Sequence, residues 1–202
     1  MAKTGICLIL LAAGGSTRMR GADKLLQQID GEALLRRSAR AACDSRAEPV
    51  LVVLRPDDAA RLACLAGLAV TPVISSQWQD GLSASIRAGL AACPPDCTGV
   101  LLALADMPGI RAGDLDALIA AFPADNPGAI CRAAMPDGSP GNPVLFGRDH
   151  IPALAALKGD AGARDLLQRH RDRTRLVALP GQRARIDLDS PEDWESWVGT
   201  RD

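Results

Sequence analysis

Positively charged side chains cluster in a glycine-containing segment near the beginning of the sequence. The segment LLAAGGSTRMRGADK, residues 10–24, follows an apolar run and contains Gly14, Gly15, Arg18 and Lys24. Glycines let the backbone approach a ligand closely, and arginine and lysine neutralise phosphate oxygens. The spacing matches neither of the familiar motifs G-x-x-x-x-G-K-[ST] and G-x-G-x-x-G. The residue types nevertheless predict an anion-binding loop, with an ordinary solvated turn as the alternative.

In the segment VLLALADMPG a carboxylate follows an apolar run. Asp106 comes directly after this run. At the carboxyl end of a buried parallel strand it would face the same crevice as the glycine loop, where a carboxylate can hold a hard cation such as Mg²⁺. The alternative is that Asp106 only caps the following turn or helix.

Two further carboxylates lie near the end of the sequence, in RIDLDSPEDW. Asp187 and Asp189 precede Ser190–Pro191, a pair typical of a helix start. At most one of the two is expected to reach a metal. The residues alone do not decide which one.

The elements that must position these residues alternate between strands and helices. Short apolar runs predict strands at Ile6–Ala12, Pro49–Leu54, Ala69–Ile74 and Val100–Leu104. Helical spacing predicts helices at Glu32–Cys43, Gly81–Ala92 and Asp114–Phe122. This alternation is typical of an α/β protein with a parallel sheet, which places the glycine loop and Asp106 at one edge.

The second half of the sequence is less regular. Ala129–Ala133 and Asn142–Phe146 are predicted as antiparallel strands added at the sheet edge. The remaining predicted elements are helices at Asp149–Leu157 and Ala161–His170, a strand at Arg175–Leu179 and a helix from Pro191. The segment GDAGAR predicts a turn and a helix N-terminus, which could also hold a phosphate.

Length and composition restrict the class of protein. A chain of 202 residues predicts a single domain over residues 1–202. The net charge of −1 argues against nucleic-acid or membrane partners, and no apolar run has the roughly 18 to 20 residues of a membrane span. The six cysteines are interpreted as free thiols in a reducing cytoplasm. His150 and His170 are expected at the surface, and the sequence offers no convincing Ser-His-Asp or Cys-His set.

Five segments together resemble a known family. LAAGGSTRMRGADK, LADMP, GNPVLF, GDAGAR and DLDSPED occur in the order and at the intervals of the small molybdopterin-type nucleotidyltransferases. GNPVLF with GDAGAR is most similar to the cytidylyltransferases of the molybdenum cofactor. The resemblance implies a Rossmann-like three-layer α/β/α nucleotide-diphosphate transferase fold with a mostly parallel sheet. It also implies Mg²⁺, with Mn²⁺ as an alternative, and transfer of CMP from CTP to the phosphate of the molybdenum cofactor.

The resemblance assigns roles residue by residue. The implied catalytic residues are Arg18, Lys24 and Asp106, and the implied metal ligands are Asp106 and Asp189. The implied nucleotide-binding residues are Leu11, Ala12, Ala13, Gly14, Gly15 and Ala105. Ser83 and Ser85, on the amphipathic helix predicted at Gly81–Ala92, are further candidates for nucleotide contact. The implied acceptor-binding residues are Asn142, Pro143, Asp160, Gly162 and Arg164. A molybdenum hydroxylase or its chaperone is the implied protein partner.

The sequence departs from the family pattern at three positions. Arg20 stands where glycine is common, so either a positive φ is not required there or Gly21 supplies it. Asn142 stands where many relatives have histidine, and Ser75 where many have asparagine. Two alternatives stay open: a nucleotidyltransferase for GTP or another phosphate acceptor, and a non-catalytic accessory protein that binds a nucleotide or cofactor.

Overall fold

The computed structural model describes residues 5–159 and 162–199. The strands are β1 (Ile6–Leu11), β2 (Gln28–Ile29), β3 (Glu32–Ala33), β4 (Val50–Leu54), β5 (Thr71–Ile74), β6 (Gly99–Leu104), β7 (Ile130–Ala134), β8 (Pro140–Gly147) and β9 (Thr174–Ala178). The α-helices are α1 (Leu34–Cys43), α2 (Ala59–Cys64), α3 (Leu82–Ala91), α4 (Ala112–Ala121), α5 (Ile151–Ala155), α6 (Arg164–Arg169) and α7 (Pro191–Gly199).

Seven strands form one sheet in the order β5-β4-β1-β6-β8-β7-β9. Strand β8 is antiparallel to both of its neighbours, and the other adjacent pairs are parallel. Strands β4 and β5 lie on one side of β1, and β6, which follows them in the sequence, lies on the other side. The predicted α/β class with a mostly parallel sheet is confirmed.

Helices cover both faces of this sheet. Successive residues of a strand face opposite sides: Leu8 of β1 packs in the cluster that contains Leu34 of α1 and Leu115 of α4. Its neighbour Ile9 packs in the other cluster, with Ile86 of α3. The result is the three-layer α/β/α arrangement implied by the family resemblance.

The predictions for β7, β8 and α1 differ from the structure. Strands β7 and β8 were expected as antiparallel additions at the edge, but β8 lies between β6 and β7, and β7 runs parallel to the edge strand β9. The helix expected from Glu32 begins at Leu34, because Glu32 pairs with Ile29 in the small β2–β3 hairpin. Its turn residues Asp30 and Gly31 both have positive φ, at 53° and 79°, as in the Asp-Gly type of tight hairpin turn.

The cysteines are free thiols as predicted, whereas His150 does not lie at the predicted surface position. All six cysteines are free thiols, although the sulfurs of Cys7 and Cys93 lie 3.2 Å apart. His150 is buried, with Nε2 2.9 Å from the carbonyl oxygen of Gly128, so its expected surface position is wrong. None of the helices in residues 5–159 and 162–199 is long and apolar enough to cross a membrane.

Candidate active site

A cleft opens at the carboxyl ends of β1 and β6. The two strands run parallel with Leu11 opposite Leu104, and the chain order reverses between them, which is where open α/β sheets place their ligands. The cleft has a volume of about 290 Å³. Its lining residues are Leu11, Ala12, Ala13, Gly14, Gly15, Lys24, Leu25, Trp78, Gln79, Gly81, Leu82, Ser85, Leu104 and Asp106.

Lys24 joins the glycine segment to two of the acidic residues. It begins a short 3₁₀ turn, Lys24–Leu26, whose first amides are capped by Asp23 through Leu25 N at 3.0 Å. Its Nζ atom lies 2.5 Å from Asp106 Oδ2 and 2.5 Å from Asp189 Oδ1. Burial lowers the pKa of Lys24, but the two carboxylates outweigh this effect, so the net pKa is raised. The lysine is therefore charged over the physiological pH range.

Backbone contacts hold the two carboxylates beside each other. The amide of Leu188 donates to the carbonyl oxygen of Asp106 at 3.0 Å, which fixes the tail segment against the end of β6. Asp193 Oδ2 accepts from the amides of Asp189, at 3.1 Å, and Ser190, at 2.8 Å. The amide of Asp193 in turn donates to Ser190 Oγ at 3.2 Å. This reciprocal cap confirms the helix start predicted at Ser190–Pro191 and places Asp189 just ahead of it.

Asp187 completes an acidic cluster with Asp106 and Asp189. One carboxylate oxygen from each of the three lies within 4.8 Å of the other two. The expectation that at most one of Asp187 and Asp189 reaches this position is wrong. Side chains two residues apart in an extended chain point to the same face, so both carboxylates can approach one site. Desolvation raises the pKa of Asp187, and the charges of Asp106 and Asp189 add to this increase.

Arg18 supplies a second cation at the cluster. Its Nη1 atom lies 2.7 Å from Asp189 Oδ2, and 71% of its side chain is exposed. Such an exposed pair contributes little to folding stability because water screens it. Its guanidinium is consequently available to a bound anion.

The residues present fit a divalent cation. The Oδ1 atom of Asp106 is buried and has no hydrogen-bond partner. Asp187 and Asp189 bring further carboxylate oxygens to within 4.8 Å of the Asp106 ligand atom. Oxygen donors of this kind suit Mg²⁺, which is usually bound through one or two carboxylates together with substrate phosphates.

The backbone of the glycine loop lies close to an aromatic ring. A Cβ atom on Gly15 would lie 3.2 Å from Cζ3 of Trp78, so a larger residue would press on this ring. Farther along the loop, Arg20 has a φ of 51° and Gly21 a φ of 95°. Both positions adopt the left-handed region, so the positive φ is required at Arg20 although this residue is not glycine.

Only some of the implied nucleotide-binding residues line the cleft. Leu11, Ala12, Ala13, Gly14 and Gly15 line the cleft. Ser83 is fully buried and does not line it, whereas Ser85 on the same helix does. Ala105 is also absent from the lining; its carbonyl oxygen accepts from Ser38 Oγ at 2.9 Å.

None of the implied acceptor-binding residues within the described part of the chain lines the cleft. Asn142 and Pro143 are the third and fourth residues of β8, whose antiparallel direction brings them to the same sheet edge as Asp106. The amide of Asn142 donates to Ala184 O at 2.7 Å. The loop before α6 contacts the start of α3: a Cβ on Gly162 would lie 2.8 Å from Cδ2 of Leu82. Arg164 is exposed at the start of α6, and Asp160 lies outside the described residues.

Trp78 and Gln79 line the cleft although sequence reasoning assigned them no role there. The guanidinium carbon of Arg55 lies 5.9 Å from the centre of the Trp78 ring. Trp78 follows β5, a parallel strand whose carboxyl end lies at the same edge as those of β1 and β6. Its position after a predicted parallel strand could have identified it as a cleft residue.

Comparison with known proteins identifies a family model and several related proteins. Residues 8–174 match the model of the MobA-like NTP transferase domain. The chain is 28% identical to the purine catabolism protein PucB of Bacillus subtilis over 197 residues, covering 93% of each chain. It is 28% identical to the nicotine blue oxidoreductase of Paenarthrobacter nicotinovorans over 191 residues, covering 91% of this chain and 92% of that one.

Solved structures agree with this result. Rv0371c from Mycobacterium tuberculosis H37Rv superimposes with a TM-score of 0.85 at 28% identity, covering 98% of this chain and all of that one. A complex of Rv0371c with manganese superimposes with a TM-score of 0.77 at 26% identity, covering 96% of this chain and 98% of that one.

Proposed function

The chain belongs to the family of MobA-like NTP transferase domains, and we propose that it transfers CMP from CTP to the phosphate of the molybdenum cofactor and releases pyrophosphate. The observation that carries the proposal is the contact of Lys24 with Asp106 and Asp189 beside the glycine loop. The segments GNPVLF and GDAGAR support this donor and acceptor, because they resemble the cytidylyltransferases of the molybdenum cofactor.

Nucleotidyl transfer requires alignment and charge neutralisation more than covalent catalysis. A phosphate oxygen of the acceptor attacks the α-phosphorus of CTP, and the bond from that phosphorus to the bridging oxygen of pyrophosphate breaks. No protein nucleophile is needed. Lys24 and Arg18 bind the β- and γ-phosphates and stabilise the negative charge that develops on the leaving group.

The acidic cluster holds the metal that such a reaction uses. Asp106 and Asp189 bind Mg²⁺ or Mn²⁺, and Asp187 adds a carboxylate from the exposed side. When bound, this cation neutralises phosphate charge and orients the α-phosphate. The manganese complex of the related Rv0371c supports a divalent cation as the cofactor.

The cleft binds the nucleotide, and residues at the edge of the cleft bind the acceptor. The segment from Leu11 to Gly15 presents its backbone to the phosphates, and Ser85 binds the nucleotide from the same cleft. Ser83 and Ala105 are buried outside the cleft lining. Asn142, Pro143, Asp160, Gly162 and Arg164 bind the acceptor. The reaction is proposed to take place in the cytoplasm, in a single domain, before the product is handed to a molybdenum hydroxylase or its chaperone.

Pyrophosphate release with CTP, GTP, ATP and UTP in turn, with and without molybdenum cofactor and with Mg²⁺, tests the proposal. We expect cofactor-dependent release with CTP. Release with GTP, or with another acceptor, would replace the substrate but keep the reaction class. If none of the four nucleotides yields pyrophosphate, an accessory binding protein is favoured. A parallel assay of dye reduction tests the oxidoreductase activity for which one relative is named.

A further inference from the structure

A fully buried arginine lies behind the glycine loop. Arg61 of α2 has a side chain with 0% exposure, in a helix that sequence reasoning did not identify. Burial of an uncompensated charge is very costly, so a buried guanidinium must be paired and hydrogen-bonded. The partners that Arg61 has therefore indicate what it is retained for.

Two of its partners are carbonyl oxygens of the glycine loop. Nη1 donates to Ala12 O at 2.6 Å, and Nη2 donates to Gly14 O at 2.9 Å. In a planar trans peptide the carbonyl and the next amide point in opposite directions. The amides of Ala13 and Gly15 consequently point away from Arg61, and both of these residues line the cleft.

Its charge is balanced by Asp23, the residue before Lys24. Nε and Nη2 donate to the two carboxylate oxygens of Asp23 at 2.9 and 2.8 Å, the bidentate geometry for which arginine is suited. Asp58 adds a second carboxylate at 3.3 Å from Nε. One side chain thus joins the glycine loop to the turn that carries Lys24.

We infer that Arg61 is a positioning residue for triphosphate binding. It fixes the direction of the Ala13 and Gly15 amides and the distance from this loop to the Lys24 ammonium. This inference rests on the proposed function, since it assumes that the cleft holds the phosphates of a nucleotide. Lysine cannot replace Arg61, because an ammonium cannot contact two carbonyls and both oxygens of Asp23 with the same geometry.

Binding of inorganic pyrophosphate with Mg²⁺ provides the test, because pyrophosphate is the leaving group of every nucleoside triphosphate and its binding does not depend on base or acceptor. The variants are Arg61→Lys and Arg61→Met. Arg36→Met is the matched control, since Arg36 also donates to two backbone carbonyls, Cys64 O at 2.9 Å and Ala66 O at 2.8 Å. Calorimetric Kd values are measured on variants whose circular dichroism shows a folded protein.

We expect Arg61→Lys and Arg61→Met to raise the Kd for pyrophosphate by at least about tenfold, because small misplacements in a preorganised site are costly. Arg36→Met should leave the Kd unchanged even where it lowers the Tm. A Kd for Arg61→Lys equal to that of the wild type overturns the inference. If neither Arg61 variant folds, Asp23→Asn decides: a raised Kd supports the positioning role and an unchanged Kd overturns it.

The same experiment keeps the two proposals apart. If pyrophosphate binding is lost in Arg61→Lys but the wild-type protein transfers no nucleotide to molybdenum cofactor, the proposed substrates fail and the role of Arg61 stands. If the wild-type protein transfers CMP and Arg61→Lys binds pyrophosphate normally, the positioning role fails and the proposed function stands. If the wild-type protein does not bind pyrophosphate, the positioning role fails, and transfer of CMP from CTP alone decides the proposed function.

Discussion

The ammonium of Lys24 lies 2.5 Å from the Asp106 carboxylate, although 82 residues separate them in the sequence. This contact joins the glycine segment after β1 to the end of β6, the two strands that border the cleft. The lysine is held at the acidic cluster by Asp106 and Asp189 and stays charged there. A cation positioned in this way can neutralise a phosphate without a large rearrangement of the fold.

Asp106→Asn should abolish turnover while the protein stays folded. The substitution preserves size but removes a charge that pairs with Lys24 and a carboxylate oxygen that is otherwise unpartnered. We expect kcat for pyrophosphate release to fall by at least about 10²-fold, and Mn²⁺ binding, followed by electron paramagnetic resonance, to weaken. Unchanged turnover in a folded variant would contradict a role for Asp106 in binding a catalytic metal.

Asp189→Asn should lower activity more than Asp187→Asn. Asp189 contacts both Lys24 and Arg18, whereas Asp187 lies on the exposed side of the cluster. We expect kcat to fall by about 10²-fold for Asp189→Asn and by less than about tenfold for Asp187→Asn. The reverse order would mean that Asp187 is the principal ligand and that the family motif is aligned two residues out of place.

Arg20→Gly should be more stable than Arg20→Ala. Both variants lose the exposed ion pair with Glu192, but only glycine adopts the φ of 51° without strain. A left-handed backbone conformation costs a non-glycine residue roughly 1–2 kcal/mol. The free energy of unfolding measured with urea should therefore be about 1 kcal/mol higher for Arg20→Gly than for Arg20→Ala. An alanine variant of equal or greater stability would contradict this explanation. Arg20→Ala should also reduce turnover less than Lys24→Ala does.

Gly14→Ala should weaken nucleotide binding without changing Tm. A Cβ on Gly14 meets no protein atom within 4 Å, so the fold tolerates it, but Gly14 lines the cleft. We expect the Kd for CTP with Mg²⁺ to rise by about tenfold, which corresponds to about 1.4 kcal/mol. Gly113→Ala in α4, where a Cβ also meets nothing, is the control and should bind CTP normally. Equal affinities would place the phosphates away from this loop.

The strands, the main helices and the Lys24–Asp106 neighbourhood follow from local patterns. Apolar runs predict buried parallel strands, and residues that follow such strands must meet at one sheet edge. Arg61 could not be predicted, because its partners depend on a contact between residues 49 positions apart. The joint approach of Asp187 and Asp189 was missed for a different reason. Side chains two residues apart in an extended chain point to the same face, so the spacing is compatible with both carboxylates reaching one site.

The rate of CTP-dependent pyrophosphate release by Lys24→Ala, compared with the wild-type rate, measures whether Lys24 stabilises the leaving group. Losing one well-placed charged contact to a leaving group costs about 2.7 to 4 kcal/mol, so kcat should fall by roughly 10² to 10³-fold. Added CTP and Mg²⁺ should also raise the Tm of the variant less than that of the wild type. Near-normal turnover with the same CTP-induced shift in Tm would contradict the account, since the cations of the glycine loop would then not act on the phosphates.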